Sequence, residues 1–185
     1  VVLQNAVDFP GAAAQSIISS GVPSARYLER LFEELERFEP EELRQQVIDS
    51  WAVEKELQTQ EQAAASLHDQ LPFDFKDPYD PRIGEFEEKS KETRYSPEIT
   101  RYFAADESRV GIDLEDRLAE VTHPVLVIGG RDDRICVVEA AEAMAAGIPG
   151  AELVILENSA HMGFVEENDA YCAAVRKFLT AHGAG

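Results

Sequence analysis

Two short apolar runs, each opening into a loop and then a helix, restrict the fold of this chain more than anything else in it. The first is "PVLVIG" at 124–129, followed by "GRDDRI" and the helical pattern "CVVEAAEAMAAGI". The second is "AELVIL" at 151–156, followed by "ENSAHMGF" and "NDAYCAAVRKFL". Continuous apolar strands alternating with amphipathic helices belong to a parallel sheet covered on both faces. Val137, Ala141, Met144 and Ile148 share one face of the first helix. Tyr171, Val175, Phe178 and Leu179 form the buried face expected of the second, with Asn168 as its cap. The fold class is therefore α/β.

The rest of the chain has a different texture. "VVLQNAVDFPG" reads as a β-rich run that breaks at Asp8, Pro10 and Gly11, so residues 1–11 are expected to form a core strand. From Ser24 the spacing turns helical, through Leu28, Leu31, Phe32, Leu35 and Phe38. Pro40 separates that helix from a second one, which places Leu43, Val47, Ile48 and Trp51 on a stripe and continues to about Leu67. Prolines at 72, 78 and 81 then predict a loop over 68–84, its aromatics Phe73, Phe75 and Tyr79 holding it over something. Residues 85–105 return to helix, with Ser96 as a cap and Pro97 in a first turn. Residues 12–111 thus read as a helical insertion, and 112–185 as the return to the α/β layer.

The net charge of −19 disfavours phosphate backbones as partners, so no nucleic acid is expected. The apolar runs are too short to cross a bilayer, and the start shows no signal-peptide pattern. Neither Cys136 nor Cys172 has zinc-ligand spacing, and each falls in an apolar helical pattern. Reduced, packed thiols in a cytoplasmic protein with no metal or cofactor are the expectation.

Working residues of parallel α/β sheets sit in loops at the carboxyl ends of strands. Here those loops carry Asp132 and Asp133 after the first run, and His161 after the second. An acid in one loop can orient and charge-stabilise an imidazole in the next, making it a general base. A nucleophile is harder to find. None of Ser16, Ser19, Ser20, Ser24, Ser50, Ser66, Ser90, Ser96, Ser108 and Ser159 lies in G-x-S-x-G. "ISSGVPS" reads as a loop before a helix, with no strand leading into it.

The stretch from His123 to Leu179 resembles the C-terminal part of an α/β-hydrolase, and within that superfamily the proline iminopeptidase-like branch. The resemblance rests on the Pro-led strand, Gly130-Arg131-Asp132-Asp133, a helix ending "GIP", and Ser159-Ala160-His161 before a final helix. It implies Asp133 as the acid, with Asp132 as the fallback, and His161 as the base. It also implies that residues 12–111 are the cap, and that a nucleophilic serine and oxyanion hole lie on an N-terminal segment partnering this chain. The implied activity is acyl transfer on a small-molecule or short-peptide substrate, as in an aminopeptidase. An ester, lactone or carbon–carbon bond hydrolase, or a non-catalytic binding module, stay open as alternatives. Trp51, Glu54, Phe73, Phe75 and Met162 are the candidate substrate contacts.

Overall fold

A computed structural model describes residues 1–105 and 112–183 of the chain. Three parallel strands, β1 (Ser16–Ser19), β2 (Val125–Gly130) and β3 (Glu152–Leu156), pair in the order β1-β2-β3. Ser16 pairs with Val125 and Leu126 with Glu152, so the carboxyl ends of all three strands lie together.

The centre of this sheet is β2, buried along its whole length. Its alternate side chains feed two cores, as the pleat dictates. Val125 and Val127 pack with Leu3, Val7, Met144 and Ile148 from helices α1 (Val2–Asp8) and α7 (Val138–Gly147). Leu126 and Ile128 pack on the other side with Phe178 of the last helix. The result is helix, sheet, helix: the layering expected of continuous apolar strands.

Residues 1–11 are not the expected strand. They hold α1, because Leu3, Ala6 and Val7 recur at helical spacing and bury one face against the sheet. The strand falls instead on "SIIS", inside the segment read as insertion, and leads directly into Ser20. Three further expectations fail at the far edge of the sheet. β3 ends the strand order and leaves Leu153 39% exposed, so it is not a fully buried strand. The final helix α9 (Asn168–His182) covers it with Phe178 alone fully buried, while Leu179 stays exposed. Asn168 is the first helical residue rather than the cap, and its Nδ2 donates to the Phe164 carbonyl.

Between β1 and β2 come α2 (Glu29–Arg37), α3 (Glu41–Val53), α4 (Gln60–Asp74), α5 (Arg82–Ser90) and α6 (Pro97–Ala104). The end expected for the insertion, residue 111, lies outside the described residues. Helix α3 stops at Val53 rather than running on to Leu67, because Thr59 and Gln62 form a capping box that starts α4. The loop expected over 68–84 is largely helix. α4 runs through Pro72, which sits in its last turn and so removes one hydrogen bond near an end already stabilised by the burial of Leu71 and Phe73. Irregular backbone is confined to the short stretch from Phe75 to α5. Ser96 and Pro97 start α6 as expected, the Ser96 side chain accepting from Ile99 N. Among the described residues no helix is long and apolar enough to cross a membrane.

Candidate active site

The site is assembled at the carboxyl ends of β2 and β3. Gly130 closes β2, and a Cβ there would lie 2.1 Å from the Ala160 carbonyl oxygen. Only a glycine lets the histidine-bearing loop pass so close. Backbone bonds then hold that loop in place, Arg131 N to Leu156 O at 2.9 Å and Asp132 N to Ser159 O at 3.0 Å.

Asp133 is buried beyond this crossing. Its Oδ1 accepts the N–H groups of Ile135 and Cys136 at 2.9 and 2.8 Å. Its carboxylate faces His161, with Nδ1 3.1 Å from Oδ2 and 3.2 Å from Oδ1. Asp132, one residue earlier, points elsewhere and pairs with Lys76 at 2.8 Å. Of the two adjacent acids, Asp133 is therefore the one brought to the imidazole. Cys136 lies before α7 rather than within it, and its Sγ, the Asp133 carboxylate and a His161 ring nitrogen lie within 4.8 Å of one another. Burial works against the His161 imidazolium. The Asp133 carboxylate, by hydrogen bond and charge, and Cys136 together outweigh it and hold the histidine pKa well above its ordinary value.

The insertion is fastened to both loops through the segment after α4. The Asp74 carbonyl accepts the N–H groups of His161 and Met162 at 2.9 and 3.3 Å. The buried Glu166 receives Lys76 N on one carboxylate oxygen and Ala160 N on the other. Arg134 donates to the carbonyls of Phe73, Phe75 and Lys76, its guanidinium lying over the Phe38 and Phe73 rings.

Beside His161 opens a cavity of about 930 Å³, walled by Leu71, Asp74, Phe86, Met162 and Phe164 among others. It is mostly apolar, with carboxylates placed at a few points, as small-molecule sites generally are. Burial pushes the Asp74 carboxyl up to about 7; the His161 charge opposes this, and that of Asp133 adds to it. No hydrogen bond or ion pair reaches the Asp74 carboxylate from the described residues.

Of the five candidate substrate contacts, Met162 lines this cavity and the other four do not. Trp51 and Phe73 pack edge-to-face at 5.8 Å, in a cluster with Leu31, Leu35, Phe38 and Val47. Phe75 is fully buried beneath the cavity against Leu71 and Met162. Glu54 accepts from Gln70 at 2.8 Å. Asp74 and Glu166 carried no sequence signal, since each is one acid among 36. Only the packing of the insertion on the loops singles them out.

Residues 20–168 match the family model described as alpha/beta hydrolase fold. A proline iminopeptidase of Lactobacillus acidophilus is 36% identical over 67 residues, which is 36% of this chain and 22% of that protein. A 2-hydroxy-6-oxononadienedioate/2-hydroxy-6-oxononatrienedioate hydrolase of Dechloromonas aromatica is 43% identical over 68 residues, 37% of this chain and 24% of that protein. The solved structure of an alpha/beta fold family hydrolase from Bacillus anthracis superposes with a TM-score of 0.74 at 19% identity, covering 96% of this chain and 63% of that one. The chain thus spans under two thirds of each of these proteins. With the family model matched over most of its length, a parallel sheet in the corresponding order of acid and histidine loops, and Asp133 facing His161, the chain belongs to the α/β-hydrolase family.

Proposed function

We infer that this chain is the cap-bearing, C-terminal part of a serine hydrolase of the proline iminopeptidase type. It works with a nucleophile elbow on polypeptide outside these residues. The observation that carries this reading is the Asp133–His161 pair beside a cavity roofed by the insertion. Two facts support the partner segment: no serine here lies in G-x-S-x-G, and the outer edge of β1 has no strand beside it among the described residues.

In this mechanism Asp133 holds the Nδ1–H of His161, which leaves Nε2 on the far side of the ring to accept the serine proton. The serine oxygen attacks the substrate carbonyl. His161 then returns the proton to the leaving amine, and water repeats the sequence on the acyl-enzyme. The carboxylate at Asp74 is placed to meet a protonated substrate amine in the apolar cavity.

A second reading, a carbon–carbon bond hydrolase, has the Dechloromonas relative in its favour. A dicarboxylate of the kind in that protein's name would bring two negative charges to a cavity where Glu61, Glu87, Glu88 and Asp74 outnumber the one lysine, Lys91, and the histidines His68 and His161. Like charges in such a space repel, so the aminopeptidase reading is preferred.

The test uses material holding this chain together with its nucleophile-bearing segment. Proline p-nitroanilide should be turned over, a fluorophosphonate probe should label the partner segment, and His161→Ala should lose turnover while binding a substrate amide. Turnover that survives His161→Ala would sink the assignment of the base. Hydrolysis of p-nitrophenyl esters with none of the anilide would sink the aminopeptidase reading and leave the hydrolase standing.

A further inference from the structure

The Asp133–His161 pair has a third neighbour that acyl transfer does not use. Asp133 Oδ1 takes the amides of Ile135 and Cys136, and this turn folds the chain back so that the Cys136 thiol returns to the carboxylate that made it. Oδ2 receives no backbone bond from the described residues and faces Nδ1 of His161 at 3.1 Å. A thiol, an imidazole nitrogen and a carboxylate oxygen thus sit within 4.8 Å of one another.

From this arrangement we propose that Asp133, Cys136 and His161 form a binding site for a zinc-class divalent cation. Bond lengths near 2.0–2.1 Å to nitrogen and oxygen and 2.3 Å to sulfur give tetrahedral edges of about 3.3–3.6 Å. The Oδ2–Nδ1 separation already approximates one edge, and from 4.8 Å the thiol closes by about 1.3 Å on a carboxylate oxygen and a ring nitrogen to supply the others. Nδ1, the nitrogen facing Asp133, is the one placed to enter the same coordination shell. One thiolate and one carboxylate neutralise the dication, and a mixed sulfur, nitrogen and oxygen set selects zinc, cadmium or cobalt over magnesium or calcium. Oδ1 remains held by two amides, which fixes the carboxylate from behind. His161 keeps 28% of its side chain exposed and lines the 930 Å³ cavity, while Asp133 borders a second, smaller cavity with Asp132 and Arg134.

Binding breaks the Cys136 S–H bond and forms a metal–sulfur bond, the proton leaving to solvent. The ion also displaces the Nδ1 proton that Asp133 held, which breaks that N–H bond and releases the proton to solvent; the metal takes the freed lone pair, and the neutral ring carries its hydrogen at Nε2. Resting on the reading of His161 as the base, the bound ion then holds the imidazole in a tautomer that cannot accept the serine proton. The site is thus a reversible off-switch sensitive to zinc.

The test is a cobalt(II) titration of the reduced chain, read by absorption. A thiolate-to-cobalt charge-transfer band with visible tetrahedral bands should appear at one equivalent. Cys136→Val and His161→Gln should each weaken cobalt binding at least about 100-fold, and Cys172→Ser should leave it unchanged. No charge-transfer band up to millimolar cobalt would overturn the site, as would a band that survives Cys136→Val or disappears with Cys172→Ser. Should Cys136→Val not fold, X-ray absorption on the zinc-loaded wild type decides: one sulfur near 2.3 Å supports the site, and a sulfur-free shell overturns it. Neither readout needs activity, so their failure leaves the hydrolase reading intact. Cobalt binding with zinc-insensitive turnover in the assembled enzyme would instead overturn His161 as the base.

Discussion

The α/β layer and the helical insertion of this molecule use similar residues for different ends. At the sheet, a residue's task follows from its place in the chain. A strand end and a close crossing at Gly130 set Asp133 and His161 face to face. In the insertion, Trp51 and Phe73 have the aromatic character of a substrate wall, yet they pack against each other and away from the cavity. The insertion contributes Leu71 and Phe86 to the cavity wall, and Asp74 both to that wall and, through its backbone carbonyl, to the histidine loop. Strand ends are thus strong pointers to chemistry, whereas apolar stripes on helices point first to packing.

The largest test of this contrast sets rate against stability. His161→Ala and Asp133→Asn should each lower kcat by about 10³–10⁴-fold in the assembled enzyme, with the unfolding midpoint little changed at alkaline pH, where the ring is neutral in the folded and unfolded chain alike. The wild-type kcat/KM should rise with pH as the imidazolium loses its proton, on a limb above the ordinary histidine value of 6.5 because Asp133 supports the charged ring. Asp133→Asn should move that limb down, since burial then acts with less opposition. The raised histidine pKa also stabilises the fold at pH below about 6.5, a contribution lost as pH rises through the folded value. Phe73→Ala should do the reverse of the loop variants. It should destabilise by about 3–5 kcal/mol on a denaturant curve and leave kcat near wild type where the protein is folded. A large kcat loss at unchanged stability for Phe73→Ala would break the contrast.

Gly130→Ala probes the crossing itself. The added methyl meets the Ala160 and Ser159 carbonyls, so the His161 loop must shift. A displacement near 1 Å predicts about a 100-fold loss in kcat with a smaller change in KM. Crystals of the variant should show a longer Nδ1–Asp133 distance.

Legibility in the sequence follows the same division. The layering, the two loops and the Asp133–His161 pairing were readable because a buried strand, its loop and its helix are contiguous, and their periodicity is local. The strand at "SIIS" was missed because it spans only four residues and its burial depends on β2, more than 100 positions away. Residues 1–11 misled for the converse reason: their β-branched residues hide the helical spacing of Leu3, Ala6 and Val7. Pro72 misled because a proline is tolerated in the last turn of a helix that its neighbours already bury. Asp74 and Cys136 acquire their surroundings only from tertiary contacts, and no spacing in the chain announces them.

Asp74→Asn sharpens the comparison within the insertion. The native carboxyl keeps its proton up to about 7, against 3.8 for its ordinary value. Unfolding between these values releases a proton, so stability falls as pH rises through that window. The asparagine variant escapes that loss. It should equal wild type near pH 4 and exceed it at pH 8 by on the order of 1–2 kcal/mol in urea. Its KM for an amine-bearing substrate should rise about tenfold above pH 7, the equivalent of one charge-assisted hydrogen bond. A stabilised variant with unchanged KM would leave Asp74 without a role in binding.

The smallest expected effect discriminates best between neighbours. Asp132 and Asp133 are adjacent, identical in residue type and in the same loop, so sequence alone ranks them only by resemblance. The structure separates them by partner: Asp133 is buried against His161, while Asp132 is 41% exposed and meets Lys76 of the insertion. An exposed pair of this kind contributes about 0–1 kcal/mol and weakens with salt. Asp132→Asn should therefore leave kcat within about threefold of wild type, and Lys76→Ala should match it in stability, because each removes the same ion pair. The double variant should add little to either single one. If Asp132→Asn instead lost activity on the scale set for Asp133→Asn, the loop would have to rearrange on joining its partner segment, and placement at a strand end would no longer identify the working acid.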